Sequence, residues 1–340
     1  MFDLCGYRLS PGEKKQVVLT VPLGGQQTFS RVVSSNEAIP GLNEPDSYKM
    51  PATLIAGAKE GKTVLITASI HAGEFPGFAA AIKAAGDIDP KDVCGNIIII
   101  HCVNTSGVVS NHSREVPEDM YNLNGSYPGD ENGGPGARIA AWFVKNVFPI
   151  TDFILDMHSG GKSEPLHPII FFPTCPEVRE ASLAAAKALN TEWLVESRAT
   201  TGEYSWAANN MGIPGLLVER GYDDCCYPVW TEGHLASVRL LLKHLGVYDY
   251  EGAPAERHIL FKESVYLESD IDALWYPTVK VGQKVRKGDL LGIQEDFFGN
   301  ELKRHYAVGD GAVYYYTRGL YSPVGCSLVA YGLEDSTEEL

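Results

Sequence analysis

The chain has 340 residues, of which 44% are hydrophobic and 21% are charged, and its formal net charge is −15. This composition is ordinary for a folded globular protein, and the length predicts about two domains. The acidic balance argues against nucleic acid or an anionic membrane as the main partner, because both bind basic surfaces.

Strands alternate with helices through the first 250 residues. Apolar, β-branched runs predict strands at residues 15–21, 51–57, 62–70, 95–103, 152–157 and 215–219. Periodic and alanine-rich segments predict helices at residues 78–85, 136–147, 180–188, 202–210 and 235–245. Glycine and proline at 24–25 and 40–41 break up the first fifty residues. This alternation predicts an α/β fold with a mainly parallel sheet covered by helices.

The pattern changes after residue 248. Residues 252–255 are typical of a linker, and the short strand-like runs that follow are punctuated by glycines. We therefore predict a catalytic domain over residues 1–252, with N-terminal strands in residues 1–50. A small C-terminal all-β domain, a sandwich or barrel, is predicted over residues 256–340. We expect this domain to be a structural lid or an interface.

The N-terminal sequence and the cysteines bear on localisation. The first ten residues lack the basic and apolar segments of a secretory signal peptide, and no apolar run approaches the roughly 20 residues that span a bilayer. Seven scattered cysteines without a CxxC pair favour free thiols in a reducing compartment. We expect a cytoplasmic protein that acts on a small molecule, with no nucleic-acid or membrane partner. Assembly into a homo-oligomer stays open.

Metal-binding side chains follow two of the predicted strands. His71 and Glu74 come after the strand at 62–70, and His158 comes directly after the strand at 152–157. In open α/β sheets, ligands bind beyond the carboxyl ends of the strands. Two histidines and one glutamate form a typical ligand set for catalytic zinc, with a fourth position left for water. The sequence therefore predicts one Zn²⁺ per chain, held by His71, Glu74 and His158.

Further polar residues surround these motifs. Glu219 ends the strand at 215–219, where its carboxylate is a candidate general base for a metal-activated water. Asp156 either orients a ligand or caps a loop. The polar loop at 111–130 carries Arg114, Asn124 and Tyr127, and long loops over a site often contact substrate.

Taken in order, these segments resemble the zinc carboxypeptidase superfamily, and more narrowly its succinylglutamate desuccinylase/aspartoacylase branch. The resemblance rests on H-x-x-E at 71–74, N-L-N-x-x-Y-P-G at 122–129, D-x-H at 156–158 and Glu219. It implies a mixed, eight-stranded central sheet with helices on both faces and a C-terminal β domain. It also implies that Arg114 stabilises an oxyanion and that Asn124 holds a substrate carboxylate.

The chain departs from the family pattern at one position. The family usually has arginine after N-L-N, where it binds a substrate carboxylate, and this chain has Gly125. Losing a bidentate charged contact weakens binding of an anionic group. Either Arg138 or Arg220 substitutes for it, or the substrate has no carboxylate at this point.

The leading hypothesis is zinc-dependent hydrolysis of an amide bond in a small N-acylated amino acid or related amine. Three alternatives remain open, namely a metallocarboxypeptidase-like peptidase, a zinc-binding protein without catalytic activity, and an α/β protein with a polar-lined site that holds no metal. Retention of Glu219 favours an enzyme, because a protein that only binds has no use for a general base.

Overall fold

The computed structural model describes residues 1–25, 46–112 and 114–339. The break predicted at residues 40–41 lies outside the described residues. The strands are β1 (Phe2–Leu4), β2 (Tyr7–Leu9), β3 (Glu13–Pro22), β4 (Ser47–Ala56), β5 (Lys59–Ala68), β6 (Cys94–Ile100), β7 (Phe153–His158), β8 (Ile169–Pro173), β9 (Trp193–Ser197), β10 (Gly215–Glu219), β11 (Ile259–Phe261), β12 (Ser264–Glu268), β13 (Ala273–Pro277), β14 (Lys284–Val285), β15 (Leu290–Glu295), β16 (Glu301–Tyr306), β17 (Gly311–Tyr316), β18 (Tyr321–Ser322), β19 (Ser327–Leu333) and β20 (Thr337–Glu339). The α-helices are α1 (Phe75–Asp87), α2 (Thr105–Ser110), α3 (Pro135–Asn146), α4 (Pro176–Lys187), α5 (Glu203–Met211) and α6 (Pro228–His244).

A mixed sheet forms the centre of the molecule, in the order β20-β11-β9-β8-β10-β7-β5-β6-β4-β3. Its middle strands β6, β5, β7 and β10 are parallel to one another. Eight strands were expected from the family resemblance, and ten are present. The two additional strands, β11 and β20, come from the C-terminal segment and extend the sheet beyond β9.

Helices cover both faces of this sheet, as predicted. Neighbouring residues along a strand point to opposite faces, so Leu65 packs with one core and Ile66 with the other. Side chains of α3 and α5 join the first core, and side chains of α1, α4 and α6 join the second. The central strands are therefore buried on both faces, which explains their continuous apolar sequences.

The C-terminal segment forms two four-stranded sheets, in the orders β12-β19-β17-β14 and β16-β15-β13-β18. Trp275, Val313 and Tyr331 belong to the core of this region. A further cluster joins it to the central sheet, where Phe261 and Tyr314 pack with Trp193. The strand-rich character of this region is as predicted, and the domain boundary at 252–256 stays a prediction.

Between residues 51 and 252, one α-helix and two strands were not predicted, namely α2, β8 and β9. The helix α6 begins at Pro228, seven residues before the predicted start. Proline is favourable in the first turn of a helix, because the N–H groups of that turn have no hydrogen-bond partner within the helix. Among the described residues, no helix combines the length and the apolar character needed to cross a membrane.

Candidate active site

The first two metal-binding candidates lie on the turn that joins β5 to α1. Ser69 leaves the strand with φ of +52°, and the Glu74 N–H donates to the His71 carbonyl at 3.2 Å. Glu74 is the residue just before α1, which has Pro76 in its first turn. This tight turn places both side chains at the carboxyl edge of the sheet.

His158 and Glu219 reach the same edge on neighbouring strands. His158 ends β7 and Glu219 ends β10, and the two residues are paired across the parallel strands. Because β7 also pairs with β5, the three strand ends are adjacent. The position predicted from sequence, beyond the carboxyl ends of the strands, is the position observed.

The side chains of His71, Glu74 and His158 converge in a buried cluster. Their candidate ligand atoms all lie within 4.8 Å of one another. Glu74 Oε1 lies 2.8 Å from His71 Nδ1, and Glu74 Oε2 lies 2.9 Å from His158 Nδ1. The three residues are 7%, 4% and 2% exposed, respectively. Two imidazole nitrogens and a carboxylate therefore face one small volume.

The Nε2 atoms of His71 and His158, which point away from Glu74, each face an oxygen atom of another side chain. Asn122 Oδ1 accepts a hydrogen bond from the Asn124 N–H, which identifies it as an acceptor, and it lies 3.1 Å from His71 Nε2. Asp156 Oδ1 lies 2.9 Å from His158 Nε2. The acceptor oxygen of Asn122 favours a proton on His71 Nε2, and the negative charge of Asp156 favours one on His158 Nε2, which leaves a lone pair on each Nδ1.

This arrangement fits a divalent cation. Two Nδ1 lone pairs that face carboxylate oxygens below 3 Å repel them unless positive charge lies between them. The donor set of two imidazoles and one carboxylate is the set that catalytic zinc uses. His71, Glu74 and His158 are thus suited to hold Zn²⁺.

The electrostatics of the cluster also favour a cation. Burial raises the pKa of Glu74, but the His158 and His71 rings outweigh it and hold that pKa below its usual range. Burial lowers the pKa of His158, yet Asp156 and Glu74 hold that pKa well above its usual range. The cluster therefore draws positive charge to its centre, which a proton or a metal ion supplies.

Glu219 lies beside this cluster with an unpaired oxygen. Its Oε2 atom is buried and has no hydrogen-bond partner among the described residues. Burial raises the pKa of Glu219 to about 8, with His158 opposing and Glu74 adding to the rise. A buried carboxyl group with a raised pKa is suited to accept and return a proton near neutral pH.

A cavity opens from the cluster towards the solvent. Its inner part, about 150 Å³, is lined by the His–Glu–His cluster together with Arg114, Asn124, Glu164, Glu219 and Tyr315, among others. An adjoining outer part of about 530 Å³ shares Arg114, Glu164 and Tyr315 with it. Arg114 is thus placed at the cavity, as the predicted oxyanion contact requires.

The remaining predicted contacts differ in their placement. Asn124 lines the inner cavity, but its Oδ1 accepts from the N–H of Glu203 at 3.3 Å, at the start of α5. Tyr127 is 4% exposed and stacks on Phe148 within the core. It is absent from the linings of both parts of the cavity. Asn124 therefore reaches the site, whereas Tyr127 lies beneath it.

Neither arginine considered as a replacement at position 125 lines the cavity. Arg138 lies against Gly24, and its Nε donates to the Gly133 carbonyl at 2.8 Å. Arg220 donates to Thr191 Oγ1 at 2.8 Å. Neither Arg138 nor Arg220 therefore replaces the contact to a substrate carboxylate that an arginine at position 125 would make.

Comparison with known proteins agrees with this geometry. A model of the succinylglutamate desuccinylase/aspartoacylase catalytic domain matches residues 60–236, more than half of the chain. The chain belongs to this family. The matched segment contains the His–Glu–His cluster, Arg114 and Glu219.

Three individual proteins are similar to this chain over most of its length. The N-alpha-acetyl-L-2,4-diaminobutyric acid deacetylase of Halomonas elongata is 27% identical over 277 residues, 79% of each chain. The product-bound ectoine utilization protein EutE (DoeB) of Ruegeria pomeroyi matches with a TM-score of 0.81 at 24% identity, covering 96% of this chain and 97% of that one. A succinylglutamate desuccinylase/aspartoacylase from Rhodobacter sphaeroides matches with a TM-score of 0.78 at 22% identity, covering 99% of both chains. The family comprises deacylases of small acylated amino acids.

Sequence reasoning missed several residues that shape the site. Asn122 belongs to the N-L-N run but was not assigned a role. Glu164 follows His158 by six residues, and Tyr315 comes from the C-terminal region. Glu203 is fully buried, and its Oε1 accepts from Thr67 Oγ1 at 3.2 Å. Only Asn122 had a signal in the sequence, its place within a motif already recognised.

Proposed function

We propose that this protein is a zinc-dependent hydrolase that cleaves the amide bond of a small N-acylated amino acid. One observation carries the proposal, the convergence of His71 Nδ1, His158 Nδ1 and the Glu74 carboxylate beside the unpaired oxygen of Glu219. Family membership supports the reaction class, since the curated relative is named as a deacetylase.

Each residue has a distinct role in this proposal. His71, Glu74 and His158 hold zinc, which supplies Lewis-acid chemistry that polarises a carbonyl and acidifies water. Glu219 takes the proton of the attacking water and returns it to the leaving amine. Arg114 donates to the oxygen of the scissile carbonyl as negative charge develops there. A base in place argues against a role in binding alone.

The name of the Halomonas elongata relative suggests which substrate to assay first. We propose an N-acetylated diamino acid as the first candidate, because the Halomonas elongata relative is named for N-alpha-acetyl-L-2,4-diaminobutyric acid. A panel of N-acyl amino acids and short peptides, tested with and without a chelator, separates a deacylase from a peptidase. Elemental analysis is expected to find about one zinc per chain.

The variant Glu219→Gln tests the assignment of the base. It keeps the shape of the side chain but removes its basicity, so we expect kcat to fall by about 100-fold or more while zinc stays bound. Glu180→Gln is the matched control, since its carboxylate is exposed on α4 and paired with Arg179. A loss below about tenfold in a zinc-loaded Glu219→Gln variant would contradict the assignment.

A further inference from the structure

Carboxylate and aromatic side chains line the outer part of the cavity. Among its lining residues are the carboxylates of Glu164 and Glu268 and the rings of Tyr315 and Tyr266, together with the cationic side chains of Arg114 and Lys162. Carboxylates and aromatic faces both attract ammonium groups, the former by charge and the latter by the ring quadrupole. The two tyrosines and Glu268 come from the C-terminal strands β12 and β17.

Glu164 lines both parts of the cavity, as do Arg114 and Tyr315. Its Oε2 accepts one long hydrogen bond from the Gly161 N–H at 3.4 Å. Among the residues that the structure describes, no cationic side chain comes within ion-pair distance of it. A part-buried carboxylate that faces a cavity and has no ion-pair partner is a costly feature unless a ligand supplies the opposite charge.

The loop that carries Glu164 is held in place by the C-terminal region. The Arg318 N–H donates to the Ser163 carbonyl at 2.8 Å, and the His167 N–H donates to the Tyr314 carbonyl at 2.7 Å. Arg318 also forms an ion pair with Asp223. Glu164 therefore sits on a braced segment, as a specific binding contact requires.

We propose that Glu164 determines substrate specificity by pairing with an ammonium group on the substrate, against the walls formed by Tyr315 and Tyr266. This inference rests on the proposed function and names its substrate class, N-acylated amino acids with a cationic side chain. The net charge of −15 adds a general attraction for such substrates. Arg114 remains free to face the scissile carbonyl.

The burial of Glu164 is consistent with this role. Burial raises the pKa of Glu164, and the nearby Arg114 charge opposes the rise. An ammonium group beside it would favour the ionised form, since an opposite charge favours ionisation. A neutral substrate of the same shape would leave the carboxylate without this partner.

Three substrates of matched shape test the inference on the zinc-loaded, full-length protein. They are Nα-acetyl-2,4-diaminobutyrate, N-acetylnorvaline and N-acetylglutamate, whose side chains end in an ammonium, a methyl and a carboxylate group. We expect kcat/KM to be highest for the cationic substrate, by about 30-fold over the neutral one, which is the size of one charge-assisted hydrogen bond. Glu164→Gln is expected to bring the ratio of kcat/KM for the cationic substrate over the neutral substrate to within about threefold of one.

The possible outcomes separate the two proposals. Hydrolysis of all three substrates by the wild type without preference overturns the role of Glu164 and leaves the deacylase proposal standing. An equal fall for all three substrates in Glu164→Gln also overturns it, because Glu164 would then act by positioning Arg114. No hydrolysis of any N-acyl amino acid overturns the proposed function and this inference together. Glu180→Gln again serves as the control, and thermal unfolding shows whether each variant is folded.

Discussion

Removing the Asn122 amide isolates the support behind His71. In the variant Asn122→Ala, the His71 ring loses its 3.1 Å contact on Nε2, and the Asn124 N–H loses its acceptor at 3.1 Å. Loss of a partner behind a metal-binding histidine typically weakens metal affinity by about 10- to 100-fold, or about 1.4 to 2.7 kcal/mol. We expect zinc affinity to fall within this range.

The accompanying loss of stability is expected to be smaller. The Asn124 N–H belongs to the short helix at Leu123–Gly125, which Asn122 caps, and one such hydrogen bond contributes about 1 kcal/mol. Zinc affinity is measured by competition with a chromophoric chelator, and stability by urea unfolding of the metal-free protein. The two measurements separate an effect on the metal from an effect on the fold.

Two further variants sharpen this experiment. Asn122→Asp keeps an acceptor and adds negative charge, so it should bind zinc at least as tightly as wild type. Asn96→Ala is the control, because its side-chain amide bonds Thr63 Oγ1 at 3.0 Å, away from the cavity lining. If folded Asn122→Ala bound zinc within about threefold of wild type, the argument that Asn122 orients His71 would be refuted.

Two more predictions concern stability. Burial lowers the pKa of His234 to about 3, so below pH ~6.5 the unfolded chain takes up a proton that the folded chain does not. The free energy of unfolding should therefore fall by about 2 kcal/mol between pH ~6.5 and pH ~5, and chelator-treated His234→Gln should lack this share of the loss in urea titrations; equal losses in both proteins would contradict the reasoning. A Cβ atom on Gly332 would overlap Phe261 and the Tyr314 hydroxyl, so Gly332→Ala should lose about 1–3 kcal/mol. Gly86→Ala, in α1 with open space around it, should be neutral or stabilising, and equal urea midpoints for the two variants would exclude the overlap.

The sequence was most informative where periodicity was strong. The strand predicted at 215–219 matches β10, and the helix predicted at 136–147 lies within one residue of α3. The strands β8 and β9 have five residues each, and apolar runs of this length do not distinguish a strand from part of a helix. The pairing of β8 and β9 depends on the neighbouring strands of the sheet, and this pairing cannot be read from the local sequence pattern.

The candidate metal ligands could be predicted because each follows a strand of the same sheet. Parallel strands bring their carboxyl ends together, so His71 and His158 meet despite their separation in sequence. Asn122, Glu164 and Tyr315 could not be assigned in this way, because loops and a separate β region deliver them. Their roles depend on distances that only the folded chain provides.

Different parts of the fold position the His–Glu–His cluster and the residues of the outer cavity. His71, Glu74 and His158 are fixed by strand ends and by the turn into α1, whereas Glu164 depends on backbone hydrogen bonds to the segment that begins with β17. In the part of the chain that the structure describes, no hydrogen bond or ion pair joins Glu164 to His71, Glu74 or His158, so we expect a change at Glu164 to alter the charge of the cavity without moving the candidate ligand atoms. By the same reasoning, Gly125 can lack an arginine side chain while the metal cluster stays intact. We therefore expect variants of the C-terminal residues that line the outer cavity to change substrate preference and to leave zinc affinity unchanged.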